Sequence, residues 1–348
     1  MSLVRHDPDT VSADKLNQQQ AGNMPDVVSA NEPERKNTVG VIIAAYNAED
    51  TIERAIASAL AQPDVAQVVV VDDASPDTTF MTARDFDDPT ERLLVVRQNV
   101  NQGPSAARNR ALSLLHTDWF TVLDSDDFMD DGRIRALLDV AEEGYDFVAD
   151  DLWLVMQDDI DGPRDNMWYP DKSEHRTEVS LAMFVDGNIP NPDRKQRELG
   201  FLKPIIRTSI LSKHKLSYDE RMRLGEDYDL YARILALRTS AVLTSPKGYV
   251  AVRRRDSLSA RHGHRELERL YKSTIALTRL PGTDSFERRL LRKSRSNTSV
   301  RYRWARMIDA VKTKNVVSFV GCFLTSPGNA FKLGTLLFSE INKRLSKS

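Results

Sequence analysis

Three carboxylates in four residues, Asp124-Ser125-Asp126-Asp127, directly follow the apolar run Trp119–Leu123. Like charges this close resist joint ionisation unless a cation or hydrogen bonds compensate them. A hard divalent cation takes oxygen ligands and commonly bridges a protein carboxylate to substrate phosphates. A solvated turn with a helix cap uses the same residue types. Asp72-Asp73-Ala74-Ser75-Pro76-Asp77 closes the β-branched run Val68–Val71. It reads either as a turn and cap or as a carboxylate that receives an N–H from a nucleobase edge. Asn101-Gln102-Gly103-Pro104-Ser105 opens a helix whose first amides suit an anion, with Arg108 one turn inside. The alternative is an ordinary proline-led helix start, with Arg108 pairing a surface carboxylate. Gly225-Glu226-Asp227 starts a further helix, where the carboxylates suit the positive end of its dipole.

The elements that must carry these groups follow from hydrophobic periodicity. Val39–Ala45 is a buried-strand run, and Ile52, Ile56 and Leu60 then recur at helical spacing up to Pro63. The pattern predicts further strands at Val68–Val71, Leu93–Val96 and Trp119–Leu123, with a helix over about Ser105–Leu115. Strands alternating with helices imply a parallel sheet covered on both faces, whose ligands bind at the strand carboxyl ends. Those ends carry Tyr46-Asn47, Asp72-Asp73 and Asp124–Asp127, so the three polar clusters converge on one rim. Beyond Asp150 the pattern is irregular, apart from a helical face of Leu230, Ile234 and Leu237.

The order and spacing of Ile43-Ala44-Ala45-Tyr46-Asn47, Val70–Thr79, Asn101–Asn109, Leu123–Asp127 and Gly225-Glu226-Asp227 resemble the family 2 glycosyltransferases of the GT-A fold. The resemblance covers about residues 38–260 and is most like bacterial exopolysaccharide transferases of the succinoglycan type. It implies an α/β nucleotide-diphospho-sugar transferase with a Rossmann-like, mostly parallel sheet. Its donor is a nucleotide sugar, usually linked to UDP, and glucose from UDP-glucose is the hexose expected. By the same resemblance Asp73 contacts uracil and the Ala44–Tyr46 strand end lines the base pocket; Asn47, on that rim, and Arg108, at the helix start suited to phosphate, are counted with the donor-binding residues. Ala44 stands where many relatives have Pro. Asp126 is the metal ligand implied, for Mg²⁺ or Mn²⁺, with Asp124 assisting through the ribose or water. Asp227 matches the catalytic base. Some relatives have a metal-binding His after the last core strand, but Val252–Ser259 contains none. Either the arginines, Arg254 first, grip the diphosphate, or His262 or His264 reaches in from a lid. Trp153, Trp168 and Tyr169 flank the acceptor half, as sugar platforms or as core anchors.

Charge and composition divide the chain of 348 residues. The net charge is −2 overall, yet residues 261–348 carry +13 and residues 1–260 carry −15. Residues 1–37 are polar and read as a flexible tail; 38–150 and 151–260 read as the nucleotide-sugar and acceptor halves of the catalytic domain, and 261–348 as a basic helical region. One cysteine, Cys322, excludes an intramolecular disulfide and a cysteine-rich zinc site. The apolar stretch Val316–Phe338 is cut by Ser326-Pro327-Gly328-Asn329 and carries Lys332, so no spanning helix is expected. Between Phe286 and Arg306, arginines interleave with Leu290, Leu291, Val300, Tyr302 and Trp304. Such a segment suits an anionic bilayer, packing against the acidic part of the chain, or nucleic acid, in that order. The expectation is therefore a cytoplasmic, peripherally membrane-associated enzyme acting on a lipid-linked oligosaccharide, with no nucleic-acid partner. The alternatives are UDP-galactose or UDP-N-acetylglucosamine as donor for another surface glycan, or a non-catalytic nucleotide-sugar-binding scaffold.

Overall fold

The computed structural model describes residues 37–169, 173–190, 198–253 and 263–346. Arg254, His262 and all of the expected tail except Asn37 lie outside the described residues. Apolar runs become the first strands of the sheet: β1 (Val39–Ala45), β2 (Val65–Asp72) and β4 (Trp119–Val122) are largely buried, and β3 (Leu93–Arg97) is the half-exposed edge strand. They pair parallel in the order β3-β2-β1-β4, with Ile42 opposite both Val69 and Val122. Of the connecting helices, α1 (Ile52–Leu60) and α3 (Pro104–Leu112) fall where helices were expected, and the short α2 (Thr79–Arg84) is added between β2 and β3. Ile52, Ala55, Ile56 and Ala59 form the buried face of α1. Two-residue β5 (Phe128–Met129) and α4 (Arg133–Ala141) follow, then β6 (Phe147–Met156), the short β7 (Asp165–Asn166) and β8 (Arg176–Glu178), and α5 (Leu181–Gly187).

The second half of the sheet is not purely parallel. β9 (Ile205–Arg207) runs antiparallel between β4 and β6, so the order continues β4-β9-β6-β10-β5, with β10 spanning Ala241–Arg253. A three-residue strand that passes directly into the helix at Thr208 leaves too little alternation for its direction to be read from sequence. β6 and β10 pair in parallel, with a register shift between Thr244 and Tyr249. Buried Asp150 caps that irregularity. It accepts the Lys247 and Tyr249 backbone N–H groups at 3.1 and 3.4 Å and pairs with buried Arg133 at 2.7 Å. The shifted backbone carries the Tyr249 hydroxyl to within 2.8 Å of Asp127.

Helices α6 (Thr208–His214) and α7 (Glu226–Ala236) complete this layer. The C-terminal region is helical: α8 (His264–Leu277), α9 (Ser285–Lys312), α10 (Val316–Gly321) and α11 (Pro327–Leu345). Asp284 and Glu287 form a reciprocal capping box at the start of α9. Leu290 and Leu291 of α9 belong to the main core, which extends from the sheet through α5 and α7. A separate small core of Val300, Met307, Cys322 and Leu333 joins α9 to α10 and α11. The apolar side of the 286–306 segment is therefore consumed inside the protein, with Val300 and Tyr302 also buried. Intramolecular packing is the reading that holds for that face.

Candidate active site

A buried charge cluster forms where α3, the end of β4, the segment before β9 and the start of α7 meet. Asn109 of α3 brackets Tyr218 from both sides: its Oδ1 accepts the Tyr218 N–H at 2.9 Å, and its Nδ2 donates to the Tyr218 carbonyl at 3.0 Å. The Ser105 hydroxyl donates to the Met222 carbonyl at 2.8 Å. These bonds tie the approach to α7 against α3, closing a sequence gap of more than a hundred residues. The tie brings Arg108 against the first turn of α7. Its Nη1 donates to Glu226 at 2.7 Å and to Asp227 at 3.2 Å, and its Nη2 donates to Asp124 at 2.9 Å.

Lys203, invisible in the sequence reading, completes the cluster. Its Nζ lies 2.9 Å from Asp124 Oδ2 and 2.9 Å from Asp227 Oδ2. Both cations are almost wholly buried, at 6% and 5% side-chain exposure, so each can be carried only because carboxylates surround it. Burial works against the Lys203 charge, but Asp124 and Asp227 raise its pKa above the ordinary lysine value. Burial likewise opposes ionisation of Asp124, yet Lys203 and Arg108 hold it down to about 2. Three carboxylates against two cations leave one negative charge in excess, at the head of α7. The signal for Lys203 was slight: a lysine inside the apolar run Leu202-Lys203-Pro204-Ile205-Ile206, whose other side chains are all buried or nearly so.

Arg108 was expected at a diphosphate; the structure places it instead among Asp124, Glu226 and Asp227. Asp124 has an oxygen on each of two cations. Asp127 is a brace, accepting the Tyr249 hydroxyl at 2.8 Å and the Val252 N–H at 2.8 Å. Burial, then the Asp124 and Asp126 charges, push its pKa up to about 8. Asp126 sits half-buried on the rim, its carbonyl accepting Arg54 at 2.8 Å. Among the described residues no three His, Cys, Asp or Glu side chains are grouped to hold a metal ion. A cation that keeps water and substrate phosphates needs one or two protein carboxylates. Asp126, half-buried on that rim, is the carboxylate the limited role would use; Asp124 has both oxygens on cations.

Two hollows flank this cluster. The smaller, about 200 Å³, lies at the carboxyl ends of β1 and β2 and gathers Ala44, Tyr46 and Asp73 with Gly103, Pro104 and Arg223. Asp73 accepts Gln98 Nε2 at 2.9 Å and the N–H groups of Gln102 and Gly103 at 2.7 Å each. A carboxylate offers about four lone-pair sites, which leaves one to accept from a ligand. Asn47, at φ 53°, is outside the hollow's lining and makes the turn, donating its N–H to Ser75 Oγ at 3.2 Å. Gly103 has φ 95°, and a Cβ there would lie 3.1 Å from Arg223 Nε. Only glycine lets the arginine lie across the α3 entry without strain.

The larger hollow, about 270 Å³, opens over Asp124, Lys203 and Asp227. Arg223 lines this one too, so its guanidinium-bearing chain borders both. The far wall belongs to α8 and α9, through Thr274, Ser294, Thr298 and Arg301. Neither Arg223 nor that wall was singled out from sequence. Trp168 and Tyr169 are buried, with Tyr169 stacked on His175 at 4.6 Å between centroids, so the core-anchor reading applies to them. His264 faces Asp309 of α9, at 3.8 Å, and lines neither hollow.

A mostly parallel GT-A sheet with its carboxylates gathered on the strand-end rim defines a nucleotide-sugar transferase architecture, and the chain belongs to glycosyl transferase family 2. The model of that family matches residues 40–200, and the chain is 40% identical over 291 residues to the succinoglycan biosynthesis protein ExoU of Rhizobium meliloti, covering 83% of each chain. ExoO of the same organism is 35% identical over 223 residues, 64% of this chain and 62% of that one. In structure, Staphylococcus aureus TarS residues 1–349 in complex with UDP-GlcNAc is similar with a TM-score of 0.57 at 17% identity, over 81% of this chain and 89% of that one. The mannosyltransferase PcManGT of Pyrobaculum calidifontis, in complex with GDP-Man and Mn²⁺, has a TM-score of 0.53 at 16% identity, over 90% and 89%. At such identities the structural likeness speaks for the fold. The chain is a glycosyltransferase.

Proposed function

We propose that the chain transfers glucose from UDP-glucose, with inversion, to a growing lipid-linked oligosaccharide in exopolysaccharide synthesis. The observation that carries this reading is Asp227, held on the floor of the larger hollow and separated by Arg223 from the smaller one. Similarity to two succinoglycan biosynthesis proteins supports the pathway class.

In this reading the smaller hollow takes the base, stacked against Tyr46, with Asp73 accepting the uracil N–H. Arg223, rather than Arg108, meets the diphosphate, because it spans the gap between base and sugar. Asp126 would hold a divalent cation, which would neutralise the departing diphosphate. The acceptor sugar enters the larger hollow. Its hydroxyl oxygen attacks the anomeric carbon, the bond from that carbon to the UDP oxygen breaks, and Asp227 takes the hydroxyl proton. Arg108 and Lys203 orient the Asp227 carboxylate without filling all its lone pairs. A single displacement converts an α-linked donor to a β-glycoside.

The donor assignment is tested by calorimetric titration with UDP-glucose, UDP-galactose and UDP-N-acetylglucosamine, each with Mn²⁺ and with EDTA. Metal-dependent binding of UDP-glucose is expected. Binding of another of the three would reassign the sugar, and binding of none would favour a scaffold role. Arg223→Ala is expected to weaken UDP about tenfold, the scale of a lost charge-assisted contact, and uridine far less. Equal losses for UDP and uridine would move Arg223 away from the diphosphate.

A further inference from the structure

The last two helices leave an apolar face outside. On α10, Val316, Val317 and Val320 are 72%, 84% and 58% exposed, followed by Leu324 at 78%. On α11, Phe331, Phe338 and Ile341 are 74%, 66% and 46% exposed and recur at seven and three residues, one side of a helix. The opposite side of α11 is in use, since Leu333 and Asn329 are buried and Leu337 packs on the small core with α9. The exposure is thus a second apolar face, not a loosely packed helix. Charge on this stretch is predominantly positive: from Lys312 to Arg344 stand Lys312, Lys314, Lys332, Lys343 and Arg344 against Glu340 alone, and Glu340 is paired with Arg344 at 2.9 Å. Among the described residues no helix is long and apolar enough to cross a membrane.

We infer that the α10–α11 face is a docking surface for an anionic lipid bilayer, with Val317, Leu324, Phe331 and Phe338 entering the headgroup region and the lysines at the phosphates. An amphipathic helix with large apolar side chains and lysine lies in the interface plane, and attraction to anionic lipid adds to apolar burial. Net-basic surroundings, whose one acid Glu340 is already paired with Arg344, select a negative surface over a neutral one. The face that the arginine-rich segment of α9 was expected to supply is thereby transferred to the next two helices. α9 connects the two functions. Its Arg303 donates to the Gly321 and Cys322 carbonyls at 3.3 and 3.1 Å, fixing α10, while Arg301, Thr298 and Ser294 line the larger hollow. Docking would hold that hollow at a fixed distance from lipid-borne acceptors, which deepens the membrane part of the proposed function.

The test is co-sedimentation of the full chain with vesicles of phosphatidylcholine alone and of phosphatidylcholine carrying ~30 mol% phosphatidylglycerol. Wild type is expected to partition to the anionic vesicles, and Val317→Asp with Phe331→Asp to reduce that partition at least about tenfold. Both sites are exposed, and an unchanged UDP affinity in the same variant would show that the fold is intact. Undiminished sedimentation of the variant, or equal binding of wild type to neutral vesicles, would overturn the proposal. So would a wild-type dimer that the two substitutions dissociate, because the face would then belong to a second copy. No sugar nucleotide enters this assay, so its failure would leave the transfer reading standing, and loss of transfer would leave docking standing.

Discussion

Asp227→Asn is expected to lower the rate of sugar transfer by about a thousandfold, the range of a lost general base, while UDP affinity stays close to wild type. The amide keeps the shape of the side chain but cannot take up the acceptor proton. Asp227 is not among the residues that line the base hollow, so the donor should bind as before. The neighbours limit the structural damage, because Lys203 retains Asp124 at 2.9 Å and Arg108 retains Glu226 at 2.7 Å. Donor titration and initial rates, measured on the same preparation, separate the two effects. Substantial turnover by the variant would remove Asp227 from the role of base.

Lys203→Met carries the second large effect. The substitution keeps much of the aliphatic volume and removes the ammonium that lies between Asp124 and Asp227. Buried carboxylates then outnumber buried cations by two instead of one. Breaking a buried pair by removing one partner costs roughly 3–5 kcal/mol, mostly from the charge left uncompensated. A lower denaturation midpoint of that order is expected, together with loss of transfer. Adding Asp124→Asn to Lys203→Met brings the excess back from two negative charges to one and should recover part of the stability, a coupling of roughly 1–3 kcal/mol in a double-mutant cycle. If the two substitutions destabilised additively, the ammonium would not be acting through Asp124. The recovery in stability is expected without recovery in rate, since Asp227 would still lack its orienting partner.

The parts of the protein that were legible in sequence are those where local pattern and tertiary role agree. The helix of Ile52 and Ile56, the strands at Val39, Val68 and Leu93, and the start of α7 at Glu226 all combine strong periodicity with a clear boundary. The grouping of Ala44, Tyr46 and Asp73 was legible too, because sheet topology alone brings strand ends together. Other features depended on which distant residue fills a gap. Arg108 reads as an anion contact from its position one turn into α3, yet Asn109 and Ser105 draw the 218–222 segment over it and enclose it with α7. Lys203 has no motif, and its partners are 79 and 24 residues away along the chain, at Asp124 and Asp227. The basic segment after Phe286 was amphipathic as read, but amphipathicity does not say what covers the apolar side. Here Leu290 and Leu291 are covered by the main core, and the uncovered face lies on α10 and α11.

In the proposed reaction sugar leaves a UDP donor for a lipid-borne hydroxyl above Asp227. Its most direct test follows radiolabel from UDP-glucose into organic-extractable lipid, using lipid-linked oligosaccharide from a strain deleted for this chain, with wild type and Asp227→Asn side by side. Wild type is expected to label the extract with a β-linked glucose and release UDP in equal amount, whereas Asp227→Asn should bind UDP and label almost nothing. An α-linked product, or labelling by the variant at the wild-type rate, would contradict it.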